Sequence, residues 1–345
     1  MKVLKPDVKH IVEPNKIKLV ERVARTCYKS EDLITEESAE KFVKGLIKSK
    51  HFAMLEHGNV IVTFDNPSAL EMFRVSMSYD GFPFDPTYMR FTYNSPKNIF
   101  IMSGSFRAWR DLLLTKESTY YRYSFTICVL VAMYKKFPAI FEDIIETLKL
   151  NPVMLDNISY SEGYNTFKVY TNDDDFKKYC YEKGVELCEI SKHLTHSMHF
   201  VCDRGVSHEL VRHRNCAFAQ ESTRYCNYSK NKFGGEISVI LPCFFDTGIG
   251  ERSNSLVYKE WEASCKNSEE TYFKLLEYGA TPQQARTVLP NSLKTEIVVT
   301  ANEEEWKHIF DLRLKGTTGA PHPQMKEVME KCYYSYMHDL TDGRI

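Results

Sequence analysis

The order of apolar and polar residues predicts that helices and strands alternate along this chain. Apolar residues recur at helical spacing over residues 16–29, and Thr35, followed by two glutamates, predicts the start of a second helix that ends near Lys50. Residues 65–97 are rich in proline, aspartate and aromatic residues and are expected to form a loop. Runs of apolar residues, many of them β-branched, predict strands at 59–64, 99–102, 197–202, 237–241 and 293–300.

Helix signals recur in the rest of the chain. Ser207 is predicted to cap a helix that begins at His208, and the polar stretch 170–175 is expected to be a loop. Further helices are predicted at 105–115, 254–278, 282–288, 303–314 and 324–340. The pattern therefore predicts an α+β fold, a single domain over residues 1–345 with a mixed sheet flanked by helices and an insertion in its first half.

Composition narrows the range of partners. The formal net charge is -1, so no global basic field points to nucleic acid, and an anionic ligand would have to be held by local arginines. The ten cysteines have irregular spacing and no C-x-x-C pair, which is typical of reduced thiols in a cytosolic protein. No run of eighteen apolar residues predicts a membrane span. We therefore expect a cytoplasmic protein without nucleic-acid or membrane partners.

Residues 203–233 concentrate side chains that suit an anionic ligand. Arg212, His213 and Arg214 are adjacent, and on a helix successive residues turn by ~100°, so the two arginines would face different ligands or different parts of one ligand. Arginine suits phosphate because its planar fork binds two oxygens and stays charged.

A second group of polar residues follows this run. Gln220, Ser222 and Arg224 alternate, so in extended backbone they would share one face and form a cradle for a nucleotide phosphate and sugar. The alternative is a solvated basic surface, since runs of charge usually face water.

The order of these residues resembles the signature of flavin-dependent thymidylate synthases, R-H-R-x-x-S followed by Q/E-x-S-x-R-Y. The motif serine is replaced here by Ala217, and the S/T of the family's H-x-S/T-x-x-E-H motif is replaced by Ala53. The resemblance covers both ends of the chain and leaves residues 65–195 as a poorly matched insertion. Other blocks similar to the family lie, in order, at 24–28, 51–57, 284–290, 300–302, 312–314 and 321–324.

This resemblance implies a homotetramer whose active sites form where subunits meet. It implies FAD as the cofactor, with contacts from His51, Arg212, His213, Arg214 and Asn302. It implies dUMP as the substrate, with contacts from Arg212, Gln220, Ser222, Arg224 and Arg286. Arg313 would act catalytically by holding and polarising the uracil edge. Glu209 stands where many members have a nucleotide-contacting glutamine, and His308 would either touch the flavin or lie on a helix surface.

The implied reaction is the reductive methylation of dUMP to dTMP, with NADPH and methylenetetrahydrofolate as co-substrates. Ala217 leaves open a related enzyme, a carbon-5 hydroxymethylase or methylase of a pyrimidine nucleotide. A flavin- or nucleotide-binding protein without catalysis is the third alternative. The retained arginines argue against it, because buried arginines without partners are costly.

A metal site is also considered. His193, His196, His199 and Cys202 recur every three residues and on a helix could approach one zinc ion. The surrounding residues predict a strand, in which side chains three apart point to opposite faces. We therefore expect no metal.

Overall fold

The computed structural model describes residues 1–65, 71, 73, 88–114, 120–150, 167–224, 227–229, 234–245 and 255–341. Its strands are β1 (Lys2–Leu4), β2 (Asp7–Ile11), β3 (Asn59–Phe64), β4 (Met89–Asn94), β5 (Ile99–Ser105), β6 (Lys168–Tyr170), β7 (Thr195–Asp203), β8 (Ala217–Gln220), β9 (Ser238–Ile240) and β10 (Lys294–Asn302).

The helices occupy most of the predicted ranges. They are α1 (Lys16–Tyr28), α2 (Ser38–Lys48), α3 (Phe106–Leu113), α4 (Tyr120–Lys136), α5 (Pro138–Thr147), α6 (Asp173–Glu182), α7 (Leu187–Ile190), α8 (Arg204–Leu210), α9 (Leu256–Glu277), α10 (Pro282–Ala285), α11 (Glu303–Phe310) and α12 (Pro323–Thr341). Short 3₁₀ turns lie at 31–33, 52–57, 191–193, 243–245 and 286–288, and a π-helical turn at 311–315. No described helix combines the length and apolarity that crossing a membrane requires.

Within the described ranges the strands form three sheets instead of the one mixed sheet that the sequence predicts. Strands β1 and β9 form a parallel pair. Sheet 2 has the order β2-β7-β10-β8 and sheet 3 the order β4-β5-β3-β6, and every pairing within these two is antiparallel. The α+β class is thus confirmed, and the expectation of a single mixed sheet is wrong.

Alternation along β10 explains how sheet 2 separates two cores. Ile297 and Val299 face a cluster formed with α11 and α12, while Val298 faces the opposite cluster, which contains α1 and α2. Successive side chains of a strand point to opposite faces, so one strand contributes to both cores. Sheet 3 contributes Val60 and Val62 to the α1 cluster and Ile61 to a third core beneath α6.

Three local expectations are corrected. Helix α8 is capped by Asp203, whose carboxylate accepts from the Val206 N–H at 2.8 Å, and Ser207 lies inside the helix. Both residue types cap helices, and Asp203, the last residue of β7, takes the role because the helix begins directly after it. Within 65–97, residues 89–94 form β4, while 66–70, 72 and 74–87 lie outside the described residues. The expected loop at 170–175 ends at Asn172, which caps α6.

Candidate functional site

The end of β8 is joined firmly to its neighbours. The Gln220 side-chain N–H₂ donates to the hydroxyl of Ser207 at 3.0 Å and to that of Thr295 at 3.1 Å. Strand β8 stops at Gln220, so the expected face shared by Gln220, Ser222 and Arg224 does not arise from strand alternation. The three residues come together for a different reason, because the chain after β8 turns along the edge of a cavity.

This cavity, called cavity A, has a volume of about 680 Å³, within the range of roughly 300–1,000 Å³ that is common for ligand pockets. It collects five of the predicted site residues, His51, Gln220, Ser222, Arg224 and Arg286. His51 comes from the turn after α2, and its Nδ1 lies 2.7 Å from the Tyr28 hydroxyl at the end of α1. The Arg286 guanidinium donates to the Thr223 hydroxyl at 3.2 Å.

Cavity A has a positive charge balance among its lining side chains. Four cationic residues line it, Lys50, Arg204, Arg224 and Arg286. The carboxylate that lines it, Glu221, is buried and forms an ion pair with Lys294 at 2.9 Å. An anionic ligand is therefore favoured. The sequence prediction missed Lys50, Arg204 and Tyr28, although Arg204 lies in the segment rich in arginine and Tyr28 in a block similar to the family.

Residues Arg212–Arg214 form a turn. The directions of their side chains were predicted for a helix, which they do not form. Helix α8 ends at Leu210, and the N–H groups of Arg212 and His213 then bond to the carbonyls of Glu209 and Leu210, each at 3.2 Å. His213 is buried, and the two arginines are exposed. The helical geometry on which the prediction of different regions for the two arginines was based is therefore wrong, and the different regions stay a prediction.

Arg313 organises a second group of predicted residues. It lies in the π-helical turn that ends at Gly316, whose φ of 72° is left-handed and favours glycine. Its Nε donates to His213 Nε2 at 3.2 Å, and its Nη1 donates to the Glu209 carboxylate at 3.0 Å. The ring of His308 lies 6.5 Å from that of His213. We call Glu209, His213, His308 and Arg313 the Arg313 cluster.

The Arg313 cluster keeps His213 neutral. Burial, followed by the charge of Arg313 and then the proximity of His308, lowers the His213 pKa to about 4. Because a guanidinium only donates, Nε2 of His213 is the acceptor and the ring proton lies on Nδ1. Arg313 is thus held by one neutral and one anionic partner, which fixes the direction of its guanidinium.

Arg214 and Asn302 line a third region, called cavity B, with a volume of about 160 Å³. Ala217 lines the same cavity, so the residue that replaces the motif serine lies beside these two and not in cavity A. The side-chain oxygen of Asn302 caps α11 by accepting from the Glu305 N–H at 2.8 Å. Its amide group therefore has a fixed orientation.

The predicted residues thus divide into three groups on one chain. Cavities A and B share no lining residue, and the Arg313 cluster lines neither. Arg212 is exposed outside all three.

Residues 155–338 match the model of the family described as thymidylate synthase complementing protein. The chain belongs to this family. It is 34% identical over 166 residues to the flavin-dependent thymidylate synthase of Pyrococcus horikoshii. The aligned region covers 46% of this chain and 63% of that protein. It is 38% identical over 112 residues to that of Thermococcus kodakarensis, covering 32% and 42%. The chain therefore spans less than two thirds of these relatives.

A weaker likeness links the chain to a solved structure, a UMP/dUMP methylase PolB from Streptomyces cacaoi bound with 5-Br dUMP. It has a TM-score of 0.36 and 18% identity, and covers 61% of this chain and 85% of that one. The score is too low to carry an inference. The family match itself confirms the resemblance. Of the twelve predicted site residues, His51 alone lies outside the matched range.

The histidines of the family-matched segment before α8 have separate partners. His196 pairs with Glu303 at 3.2 Å and His199 with Glu296 at 3.0 Å. His193 bonds to Thr92 at 2.8 Å and to Ser103 at 2.7 Å. Within the described part of the chain, no group of three or more His, Cys, Asp or Glu side chains has the arrangement of a metal site.

The thiol nearest the family signature is poorly suited to be a nucleophile. Burial, and to a lesser extent the charge of Glu305, raises the pKa of Cys216 well above its ordinary value. The thiolate is the reactive form, so Cys216 is held in its unreactive state. Cys226 lies outside the described residues.

Proposed function

We propose that the protein catalyses the FAD-dependent reductive methylation of dUMP to dTMP, with methylenetetrahydrofolate as one-carbon donor and NADPH as reductant. The observation that carries this proposal is cavity A, where four cationic side chains meet His51, Gln220 and Ser222 in a space of nucleotide size. Family membership supports the chemistry, and the lining supports a phosphate-bearing ligand.

Within this proposal, Arg224 and Arg286 bind the nucleotide phosphate. Gln220 has a narrower role that follows from its hydrogen bonds. The Ser207 hydroxyl donates to the Arg204 carbonyl at 3.0 Å, so its oxygen is left to accept from the Gln220 amide. The amide N–H₂ is used by Ser207 and Thr295, and no described residue donates to the side-chain carbonyl of Gln220, so this carbonyl can accept from a ligand N–H or O–H.

Arg313 would polarise the uracil edge, because its guanidinium is already directed by His213 and Glu209. FAD, when bound, would supply the hydride chemistry. The donor set around cavity B fits a phosphate-bearing cofactor, since Arg214 and the Asn302 amide line it. Because the three groups are separate on one chain, we propose that a homotetramer brings groups from different subunits together.

Mass analysis of the product tests the reaction and the role of Ala217 together. Supplied with dUMP, methylenetetrahydrofolate, NADPH and FAD, the wild-type protein is expected to form dTMP. Ala217→Ser is expected to give the same product with a rate changed about two- to tenfold, since one neutral hydrogen bond contributes ~0.5–1.5 kcal/mol. Ala217 lines cavity B with Arg214, so the added hydroxyl would act on the cofactor side.

Two outcomes would contradict this. A wild-type product heavier than dTMP by one oxygen, with dTMP from the serine variant, would identify a hydroxymethylase. Absence of any product from a protein that binds flavin and nucleotide would favour the binding protein without catalysis.

Arg224→Ala is expected to weaken dUMP binding about ten- to hundredfold while leaving FAD affinity unchanged. A charge-assisted hydrogen bond contributes roughly 1.5–3 kcal/mol, and Arg224 lines cavity A but not cavity B. Calorimetric titration with dUMP measures the effect. Arg22→Ala is the matched control, because Arg22 is an exposed arginine on α1 outside cavity A. Equal dUMP affinity in the Arg224 and Arg22 variants would remove Arg224 from the binding site.

A further inference from the structure

Cavity B lies where sheet 2 meets sheet 3, so two parts of the chain with different relationships to the family contribute to it. Arg214, Ala217 and Asn302 come from sheet 2 and its connections, inside the family-matched range 155–338. Arg90 and Ser103 come from β4 and β5 of sheet 3, outside that range. The cavity is therefore partly built by a segment that the family model does not cover.

Three cationic side chains from three elements line cavity B. Arg90 is on β4, Lys192 is in the turn before β7, and Arg214 precedes β8. The carboxylate among its lining residues, Glu56, pairs with Arg107 at 2.6 Å. This ion pair offsets the negative charge of Glu56, so the positive charge of the three cations dominates the lining. Such a lining favours an anion with several oxygens.

Hydrogen bonds to His193 hold two of these cations near each other. In the β4–β5 register Arg90 lies directly opposite Ser103, so their side chains share one face of sheet 3. The Ser103 hydroxyl bonds to His193 Nδ1 at 2.7 Å, and Thr92, two residues after Arg90, bonds to Nε2 at 2.8 Å. Lys192 immediately precedes this histidine and is thereby placed beside β4.

The same connection is strengthened from β3. The Asn59 side-chain N–H₂ donates to the His193 carbonyl at 2.9 Å. Burial, with smaller effects from Lys192 and Arg90, lowers the His193 pKa to about 3. The neutral ring can therefore bridge Ser103 and Thr92 without adding a fourth positive charge, and the two cations are positioned before any ligand arrives.

We propose that cavity B binds the diphosphate of a dinucleotide cofactor, with Arg90 holding it from sheet 3, and Lys192 and Arg214 from the segments that precede β7 and β8 of sheet 2. The inference rests on the proposed function, because the flavin cofactor is the dinucleotide that this function requires. It assigns a role to part of the poorly matched insertion, because Arg90 is a phosphate-binding cation that lies outside the family-matched range. A volume of about 160 Å³ limits the cavity to the diphosphate group and leaves the rings outside it.

The test compares three probes on the full-length protein after removal of any bound flavin. FAD carries the diphosphate, riboflavin carries the same ring without phosphate, and inorganic pyrophosphate carries the charge alone. Flavin binding is followed by fluorescence quenching and pyrophosphate binding by calorimetry. The variants are Arg90→Ala, Lys192→Ala and Arg90→Lys. Lys97→Ala is the control, because Lys97 is an exposed cation in the turn between β4 and β5.

Arg90→Ala and Lys192→Ala are each expected to weaken FAD and pyrophosphate about ten- to hundredfold, with riboflavin and dUMP affinity unchanged. Arg90→Lys should recover part of the loss, and Lys97→Ala should behave as wild type. Unchanged FAD affinity in both alanine variants would overturn the proposal and leave the proposed function standing. An equal loss of FAD, riboflavin and dUMP would show a general effect on folding and would also overturn it.

Failure of the proposed function has a different signature. Wild type could bind pyrophosphate but no flavin, with pyrophosphate binding lost in the alanine variants. That result would support cavity B as a diphosphate site and contradict the proposed flavin-dependent reaction. If wild type binds neither flavin nor pyrophosphate, both proposals fall.

Discussion

Replacing Lys294 by methionine is expected to lower the free energy of unfolding by about 3–5 kcal/mol, because it leaves a buried carboxylate without its partner. Lys294 pairs with Glu221 at 2.9 Å, and the two side chains are 17% and 2% exposed. Among the described residues, no cation other than Lys294 lies within ion-pair distance of Glu221. Burial alone would lower the Lys294 pKa, but attraction to Glu221 and Glu296 raises it, so the lysine stays charged.

Glu296 would be less affected by the same change. It also contacts Lys294, yet it keeps Lys29 at 2.5 Å and His199 at 3.0 Å. The destabilisation should therefore come mainly from Glu221. Since Glu221 lines cavity A, its unpaired charge should also weaken binding of a nucleotide phosphate.

Urea unfolding measures the effect, and a second substitution identifies its source. Glu221→Gln added to Lys294→Met should restore most of the lost stability, because no unpaired charge remains. Lys315→Met is the matched control. Its pair with Asp311 has a similar distance, 2.7 Å, but the two side chains are 63% and 32% exposed, so a much smaller change is expected because solvent screens such a pair. Equal losses for Lys294→Met and Lys315→Met would contradict the explanation.

The Glu221–Lys294 pair shows which part of the site the sequence could not predict. The strand that carries Lys294 is predictable from its apolar pattern, but β8, which ends next to Glu221, was not predicted, and neither was the pairing of the two strands. The β8–β10 register, which places Gln220 opposite Ile297, brings the two charges together across 73 residues of chain. Such a contact depends on the tertiary pairing of strands, which local periodicity does not encode.

The candidate site, too, could be predicted from the sequence only in part. The residue types that suit phosphate were predictable, because arginines concentrate within residues 204–224 and cavity A collects Arg204 and Arg224. The backbone that carries Arg212–Arg214 was not, since helix α8 begins at Arg204 and ends before the run. The role of Arg90 was not predictable. Arg90 lies on β4, within the range 65–97 that was expected to be a loop, and it reaches cavity B because β4 pairs with β5.

Lowering the pH from 7 to 5 is expected to reduce the free energy of unfolding, and two fully buried histidines contribute about 4 kcal/mol of that reduction. Burial lowers the pKa of His57 to about 3, and it is the main cause of the similar pKa of His193. Both rings are fully buried, and His57 bonds to the Thr300 hydroxyl at 2.7 Å. In the unfolded chain each pKa returns to about 6.5.

The sign of the effect follows from proton uptake. Between pH 6.5 and about 3 the unfolded chain binds protons that the folded chain refuses, so stability falls as the pH falls. At pH 5 each histidine then favours unfolding by about 2 kcal/mol relative to pH 7. Glu296, whose pKa is held low by His199, Lys294 and Lys29 against the opposing effect of burial, adds to the same trend.

Urea unfolding at pH 7 and pH 5 measures this dependence, and His193→Gln separates its sources. Glutamine can still bond to Ser103 and Thr92 but does not titrate, so the pH-dependent change of the variant should be smaller by about 2 kcal/mol. Exposed His208→Gln controls for the substitution itself. A wild-type stability that stays constant or rises between pH 7 and pH 5 would show that the buried rings accept protons without unfolding. The neutral bridge that positions Lys192 beside β4 would then be limited to the higher pH, because a charged His193 would repel the cations of cavity B.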